Sequence, residues 1–160
     1  MISFKTYNAF SIVLWCLILC GIQFSFSQQP IQLVHSDSVI GYKIGTQNVR
    51  DFVGNVHLRQ GNLDLYCGKA THFIDENKAI LISNVKITQD MMILTSDYIE
   101  YDGNKSEAYS QGKIQIVDTA STLTAKRGIY YFKPRIAHFS DSVILQDKFS
   151  TIRANTIDFD

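Results

Sequence analysis

The 160-residue sequence has little cysteine, little proline and no excess of charge of either sign. Its cysteines are Cys16, Cys20 and Cys67, and its prolines are Pro30 and Pro134. Basic and acidic side chains balance at 15 each, so the composition offers no basic surface of the kind that captures nucleic acid. Low-complexity tracts and blocks of like charge are also absent, which favours a single folded domain.

The N-terminus has the layout of a secretory signal peptide. Lys5 supplies the positive start, residues 9–22 are largely apolar, and residues 25–27 place small side chains just before Gln28. The apolar stretch is short for a membrane span, which needs about 20 residues. We therefore expect cleavage after residue 27, with an uncleaved N-terminal anchor as the alternative.

The domain that remains after cleavage would consist of residues 28–160. It loses Lys5 and no acid, so its formal charge changes from 0 to −1. Cys67 is then the only cysteine, and an internal disulfide is excluded. We expect a packed thiol at this position, because Cys67 aligns with small side chains in the repeat described next.

A repeat of 29 residues stays in register four times along this domain. Three of its columns are aliphatic, one holds small side chains, one is mainly aromatic and a partial one holds alanine. The columns are Val56, Val85, Ile114 and Val143; Leu58, Ile87, Ile116 and Leu145; Leu65, Leu94, Leu123 and Ile152; Cys67, Ser96, Ala125 and Ala154; His72, Tyr101, Tyr130 and Phe159; and Ala79, Ala108 and Ala137. A fixed period of about 20–50 residues marks an array whose copies stack on one another. The function is therefore expected in an extended surface or groove.

Apolar residues alternate with polar ones inside each copy. Residues 56–58 and 94–96 are examples in which the outer two side chains face inward and the middle one faces outward. Period two is the strand signal, and turn-forming clusters separate the runs at residues 61–62, 75–77 and 102–104. Each copy is predicted to form two to three short strands, and a partial copy begins near residue 34. The fold class predicted is all-β, a solenoid-like stack of short antiparallel strands.

Two elements of the repeat resemble a known family. The first is Gly-Asn-Val-His-Leu-Arg-Gln-Gly at residues 54–61, repeated as Asn-Val-Lys-Ile-Thr-Gln-Asp at residues 84–90. The second is Leu-Thr-Ser-Asp-Tyr-Ile-Glu-Tyr at residues 94–101. Together they resemble the OstA-like (LptA-type) domain of the lipopolysaccharide transport system, and most the multi-repeat OstA-like proteins of the Bacteroidota. The resemblance covers residues 34–160, with departures at Lys113 and Asp141.

The resemblance implies a twisted, open β-jellyroll that acts in the periplasm without catalysis, with no cofactor. In that family an apolar interior groove shields the acyl chains of lipid A, and domains stack end to end towards the outer-membrane assembly. The implied partners are lipopolysaccharide, other Lpt-type components and further copies of the chain, and the implied location is the periplasm, with outer-membrane association open. The residues expected to line the groove are Val56, Leu58, Leu65, Val85, Ile87, Leu94, Ile99, Tyr101, Ile114, Ile116, Leu123, Tyr130, Val143, Leu145, Ile152 and Phe159. Cations expected at the rim, where sugar phosphates would meet them, are Lys43, Arg50, Lys69, Lys126 and Arg127.

Two other functions compete with lipid transfer. A secreted β-solenoid scaffold, structural or adhesive, would fill the same inward columns with a closed, dry core. A carbohydrate-active enzyme would need an outward row of carboxylates and aromatics, and outward positions such as His57, Lys86 and Gln115 do not supply one. Asp97 and Asp102 flank a strand and are interpreted as solvated edge residues.

The four histidines lack the close spacing of metal ligands, so no metal site is predicted. The repeat pattern continues to Asp160. Either the chain is part of a longer protein, or its last strand pairs with another copy.

Overall fold

The computed structural model describes residues 29–159, and the predicted signal peptide at residues 1–27 lies outside this range. The described residues form strands and turns, with no helix long and apolar enough to cross a membrane. The strands are β1 (Gln32–His35), β2 (Ser38–Ile44), β3 (Gln47–Gln60), β4 (Leu63–Phe73), β5 (Lys78–Gln89), β6 (Met92–Asp102), β7 (Glu107–Ser110), β8 (Ile114–Val117), β9 (Ser121–Ala125), β10 (Arg127–Tyr131), β11 (Ile136–Asp147) and β12 (Thr151–Phe159).

These strands form one antiparallel sheet, which confirms the predicted all-β jellyroll. Three pairs of short strands each act as one interrupted long strand. β2 and β1 pair with successive parts of β3, β7 and β8 pair with successive parts of β6, and β10 and β9 pair with successive parts of β11. The sheet is therefore a meander of long strands, with β1 and β2 at one edge and β12 at the other.

The strands are longer than the sequence predicts, because a bend replaces the expected break. Adjacent residues with positive φ lie in the middle of three strands: Gly54 and Asn55 in β3, Ser83 and Asn84 in β5, and Asp141 and Ser142 in β11. The strand register shifts at each pair. Such bulges bend a strand and increase its twist. In the remaining copy of the 29-residue repeat, the corresponding strand is interrupted between β7 and β8.

The inward columns interleave into continuous rows across the sheet. The columns of Leu58 and Leu65 alternate to form an aliphatic row, whose paired members are Leu58, Leu65, Ile87, Leu94, Ile116, Leu123, Leu145 and Ile152. The aromatic and alanine columns alternate to form an aromatic row, which runs through His72, Ala79, Tyr101, Ala108, Tyr130, Ala137 and Phe159. An alanine thus separates His72 from Tyr101, and another separates Tyr101 from Tyr130.

The bends fold the sheet over, so that the aliphatic and aromatic rows face a common interior. One side of the bends contributes Leu58, Leu65, Ile87 and Leu94 to the core. The other side of the bends contributes Phe52 and Leu81 to the same core. Small residues admit large ones across neighbouring strands. A Cβ atom on Gly128 would stand 2.4 Å from Cδ1 of Phe139, which is possible only for glycine.

Candidate functional site

The hairpin turns lie along two rims that border the interior. The turns at residues 61–62, 90–91, 118–120 and 148–150 follow the aliphatic row and form the aliphatic rim. The turns at residues 45–46, 74–77, 103–106 and 132–135 follow the aromatic row and form the aromatic rim. Because the sheet is folded over, the gap between these rims is the mouth of the interior.

A buried hydrogen-bond network closes the mouth in the N-terminal half. The Gln60 amide donates to the backbone oxygen of Gly103 across 2.9 Å and accepts a hydrogen bond from the Tyr101 hydroxyl. The same amide also donates to the backbone oxygen of Gln29. Burial raises the pKa of Tyr101, so its hydroxyl remains a donor. We call this contact between the rims the buried tie.

The chain before β1 also lies between the two rims. The Ile31 N–H donates to Asn77 Oδ1 across 2.8 Å, and the Ile31 side chain is buried in the core. Behind it, Leu58, Leu65, Leu81 and Leu94 are fully buried. The interior is therefore closely packed and closed in this half of the molecule.

The interior opens in the C-terminal half. A cavity of about 440 Å³ lies there between the two rows. Ile116, Leu123 and Leu145 form its wall on the aliphatic side, and Tyr130 and Phe139 form its wall on the aromatic side. The remaining lining residues belong to the turns or lie next to them: Gln89, Asp90, Met91, Met92, Asp118, Thr119, Ser121, Pro134 and Arg135. This volume lies within the range of about 300–1,000 Å³ found for small-molecule sites.

A second contact joins the rims at the cavity. Arg135 on the aromatic rim donates to Asp90 on the aliphatic rim, with 2.6 Å between Nη2 and Oδ2. Both side chains are more than half exposed, in contrast to Gln60 and Tyr101. We call this contact the exposed tie. It lies one repeat further along the sheet than the buried tie.

The structure separates all but two of the predicted groove residues into a cavity-lining group and a core group. Four line the cavity: Ile116, Leu123, Tyr130 and Leu145. Ten are buried, and they lie in the core: Val56, Leu58, Leu65, Val85, Ile87, Leu94, Ile99, Tyr101, Ile114 and Val143. Ile152 is exposed, because it lies on edge strand β12. Phe159 is described only by its backbone, which pairs with Ala137.

Several residues that line the cavity were not predicted from the sequence. Phe139 has a periodic signal, since it lies 29 residues after Ser110 and two after the inward Ala137. Met92 could be found in the same way, two residues before Leu94. Asp90 and Arg135 carry no such signal, because charged residues in turns are common and their pairing depends on the folded sheet.

Besides its tyrosines, the described interior contains two titratable side chains, Cys67 and His72. Burial raises the pKa of the Cys67 thiol to about 11, so it stays protonated and packed. Burial, together with the charge of Arg50, lowers the pKa of His72, which therefore stays uncharged at neutral pH. Neither group lines the cavity, and among residues 29–159 no cluster of His, Cys, Asp or Glu is arranged to hold a metal ion.

The predicted rim cations are all exposed, but they do not gather at the cavity. Lys43, Arg50 and Lys69 lie in the N-terminal half, and Lys126 and Arg127 lie near the bend of the sheet. Arg127 pairs with Asp141 across 3.1 Å. Asp102, which the sequence analysis interprets as a solvated edge residue, accepts the N–H groups of Asn104 and Lys105 in a turn.

Comparison with solved structures identifies a similar fold in a protein of the lipopolysaccharide transport device. That protein is LptH from Pseudomonas aeruginosa, described as the LptA-homologous periplasmic component of the device. The two structures superpose with a TM-score of 0.62 at 15% sequence identity, and the match covers 83% of this chain and 96% of LptH. At this identity the likeness establishes the fold.

Comparison of sequences gives the family. No curated protein matches the chain. The family model described as OstA-like protein matches residues 28–115 and again residues 93–155, which together cover nearly all of the strands. The chain therefore belongs to the family of OstA-like proteins.

Proposed function

We propose that this domain is a non-enzymatic periplasmic carrier that takes the acyl chains of lipopolysaccharide into its apolar groove and passes them towards the outer membrane. The observation that carries the proposal is the cavity between the aliphatic and aromatic rows, open at the mouth and walled by Leu123, Leu145 and Phe139. The domain has a fold similar to that of LptH, which is described as a component of the lipopolysaccharide transport device.

The aliphatic row provides the physical basis for carriage. Acyl chains cannot cross water without cover for their apolar surface, and burial stabilises them by roughly 25 cal/mol per Å². The row presents eight consecutive large aliphatic side chains across the sheet, from Leu58 to Ile152, with no charged residue among them. A chain that moves along the row exchanges similar contacts, so no position becomes a deep trap.

The volume of the cavity limits how much lipid it covers at once. At about 440 Å³ it corresponds to a site for one small ligand, so it would cover part of a multi-chain lipid. Passage into the N-terminal half would require the buried tie to open, because the interior there is fully packed. Loading is therefore expected to begin in the C-terminal half.

The alternative is a secreted scaffold with a closed, dry core. The close packing around Leu58, Leu65 and Leu81 favours it for the N-terminal half. The cavity argues against it for the other half, because a scaffold gains no stability from unfilled apolar space. We also propose that the domain reaches the periplasm by cleavage of residues 1–27 and meets other Lpt-type components through its sheet edges.

Photo-crosslinking in a lipopolysaccharide-producing cell tests this function. A photoreactive residue replaces Leu123, which lines the cavity, or its neighbour Thr124, which faces outward on the same strand. The expected result is a lipopolysaccharide adduct from position 123 and none from position 124. If neither position yields an adduct while the protein is folded and exported, lipid carriage is wrong and the scaffold is favoured.

A further inference from the structure

The two ties differ in burial, and therefore in how readily they can open. Gln60 and Tyr101 lie in the core, where loss of a partner leaves a buried polar group without a hydrogen bond. Asp90 and Arg135 are exposed, and water can replace either partner. The exposed tie is thus the contact across the mouth that can be broken at small cost.

Arg135 has a suitable position for a ligand at the cavity. It is the only Lys or Arg among the residues that line it within the described chain, and its side chain is 64% exposed. Its partner Asp90 lies on the opposite rim. The second carboxylate at the mouth, Asp118, is held in its own turn, where Oδ1 accepts the N–H groups of Ala120 and Ser121.

We propose that the pair of Asp90 and Arg135 is a latch, which opens when Arg135 exchanges the Asp90 carboxylate for the phosphate of a lipid whose acyl chain enters the cavity. This inference rests on the proposed function and assigns the site a ligand class, a phosphorylated acyl lipid. A guanidinium binds phosphate through two parallel hydrogen bonds, and water solvates the released carboxylate. The exchange frees the aromatic rim from the aliphatic rim at the moment when the lipid needs the space.

Binding of two lipids with identical chains tests the latch. Dimyristoyl phosphatidic acid and dimyristoylglycerol, each in neutral detergent micelles, compete with a fluorescent acyl probe for the purified domain. We expect the unaltered protein to prefer the phosphorylated lipid by roughly fivefold to tenfold, as for one partly exposed charge-assisted hydrogen bond. Arg135→Gln should abolish the preference and still bind dimyristoylglycerol. Asp90→Asn should increase the preference, because Arg135 then has no competing carboxylate.

Arg59→Gln is the matched control. Arg59 is 50% exposed and also pairs with an aspartate, Asp64, across 2.8 Å, but it lies outside the cavity lining. Its replacement should leave the preference unchanged. The latch is wrong if Arg135→Gln retains the preference or if Arg59→Gln loses it equally. Failure of the unaltered protein to bind either lipid would instead refute the proposed function, and the latch with it.

Discussion

His72 occupies the one position in the aromatic row where a ring with nitrogen atoms replaces tyrosine or phenylalanine. Its ring lies 6.3 Å from that of Phe52, and only 7% of the residue is exposed. The Nε2 atom is buried without a hydrogen-bond partner. Burial disfavours the charged form and lowers the pKa of His72 in the folded protein.

This histidine should make the protein less stable in acid. In the unfolded chain His72 takes up its proton as the pH falls past about 6.5, whereas the folded protein resists protonation until a lower pH. The free energy of unfolding therefore decreases as pH falls through this window. His72→Phe, which completes the aromatic row, should flatten the decrease. Urea midpoints at about pH 7.5 and about pH 5.5, on either side of the ordinary histidine pKa, measure it.

The control for this experiment is His35→Phe on edge strand β1. His35 is exposed and near Asp37, outside the core. That variant should retain the acid-dependent loss. An unchanged pH dependence in His72→Phe would show that burial of this ring does not govern stability in acid.

The bends of the long strands depend on residues that adopt a left-handed backbone. At the bend of β5, Ser83 has φ 66° and Asn84 has φ 53°. Asparagine tolerates this conformation, whereas β-branched side chains clash with the backbone there. The bend is what brings the aliphatic and aromatic rows to face each other, so its backbone is tied to the shape of the groove.

Replacement of Asn84 should expose this constraint. Asn84→Val is expected to lower the free energy of unfolding by about 1–2 kcal/mol, the cost of a left-handed residue with a branched side chain. Asn84→Gly should be neutral or slightly stabilising, because glycine adopts this φ freely. Lys86→Val, exposed on the same strand, should change stability by less than about 0.5 kcal/mol. Equal losses in the two valine variants, measured by urea unfolding, would contradict the role of the left-handed backbone.

The sequence predicts the inward columns well, because alternation and the 29-residue period are local signals. Leu58, Leu94 and Tyr101 are buried as expected. It does not predict that Ser83 and Asn84 bend a continuous strand, since such polar pairs also form ordinary turns. Nor does it predict the location of the cavity or the ties, since residues 43 and 45 positions apart along the chain meet only after the sheet folds over.

The two edges of the sheet are the surfaces through which whole molecules can associate. β2 is exposed on both faces and carries Val39, Ile40 and Ile44, and β12 leaves Ile152 exposed at the other edge. Unpaired edge strands are templates for pairing with another chain. End-to-end self-association, which the sequence analysis anticipated, therefore remains a prediction with two defined surfaces.

A charge on the edge tests this association. Ile40→Lys should weaken self-association by about tenfold, or ~1.4 kcal/mol, since lysine on an edge strand opposes pairing. Ile93→Lys is the matched control, because Ile93 is exposed on β6, which has partners on both sides. Sedimentation velocity over a concentration series measures both. Monomers of the unaltered protein at every concentration would rule the prediction out.

Because the rows are interleaved, the length of the groove and the side chains that line it can change independently of each other. Each 29-residue copy contributes two neighbouring strands, and neighbouring strands lie about 4.7–4.9 Å apart. Duplication of one copy would move the two edges apart by roughly 9.5 Å, while every existing residue keeps its row. Substitution within a column would change what the path accepts without changing its reach. Growth by whole hairpins thus allows the distance spanned to be adjusted in fixed increments without a new fold.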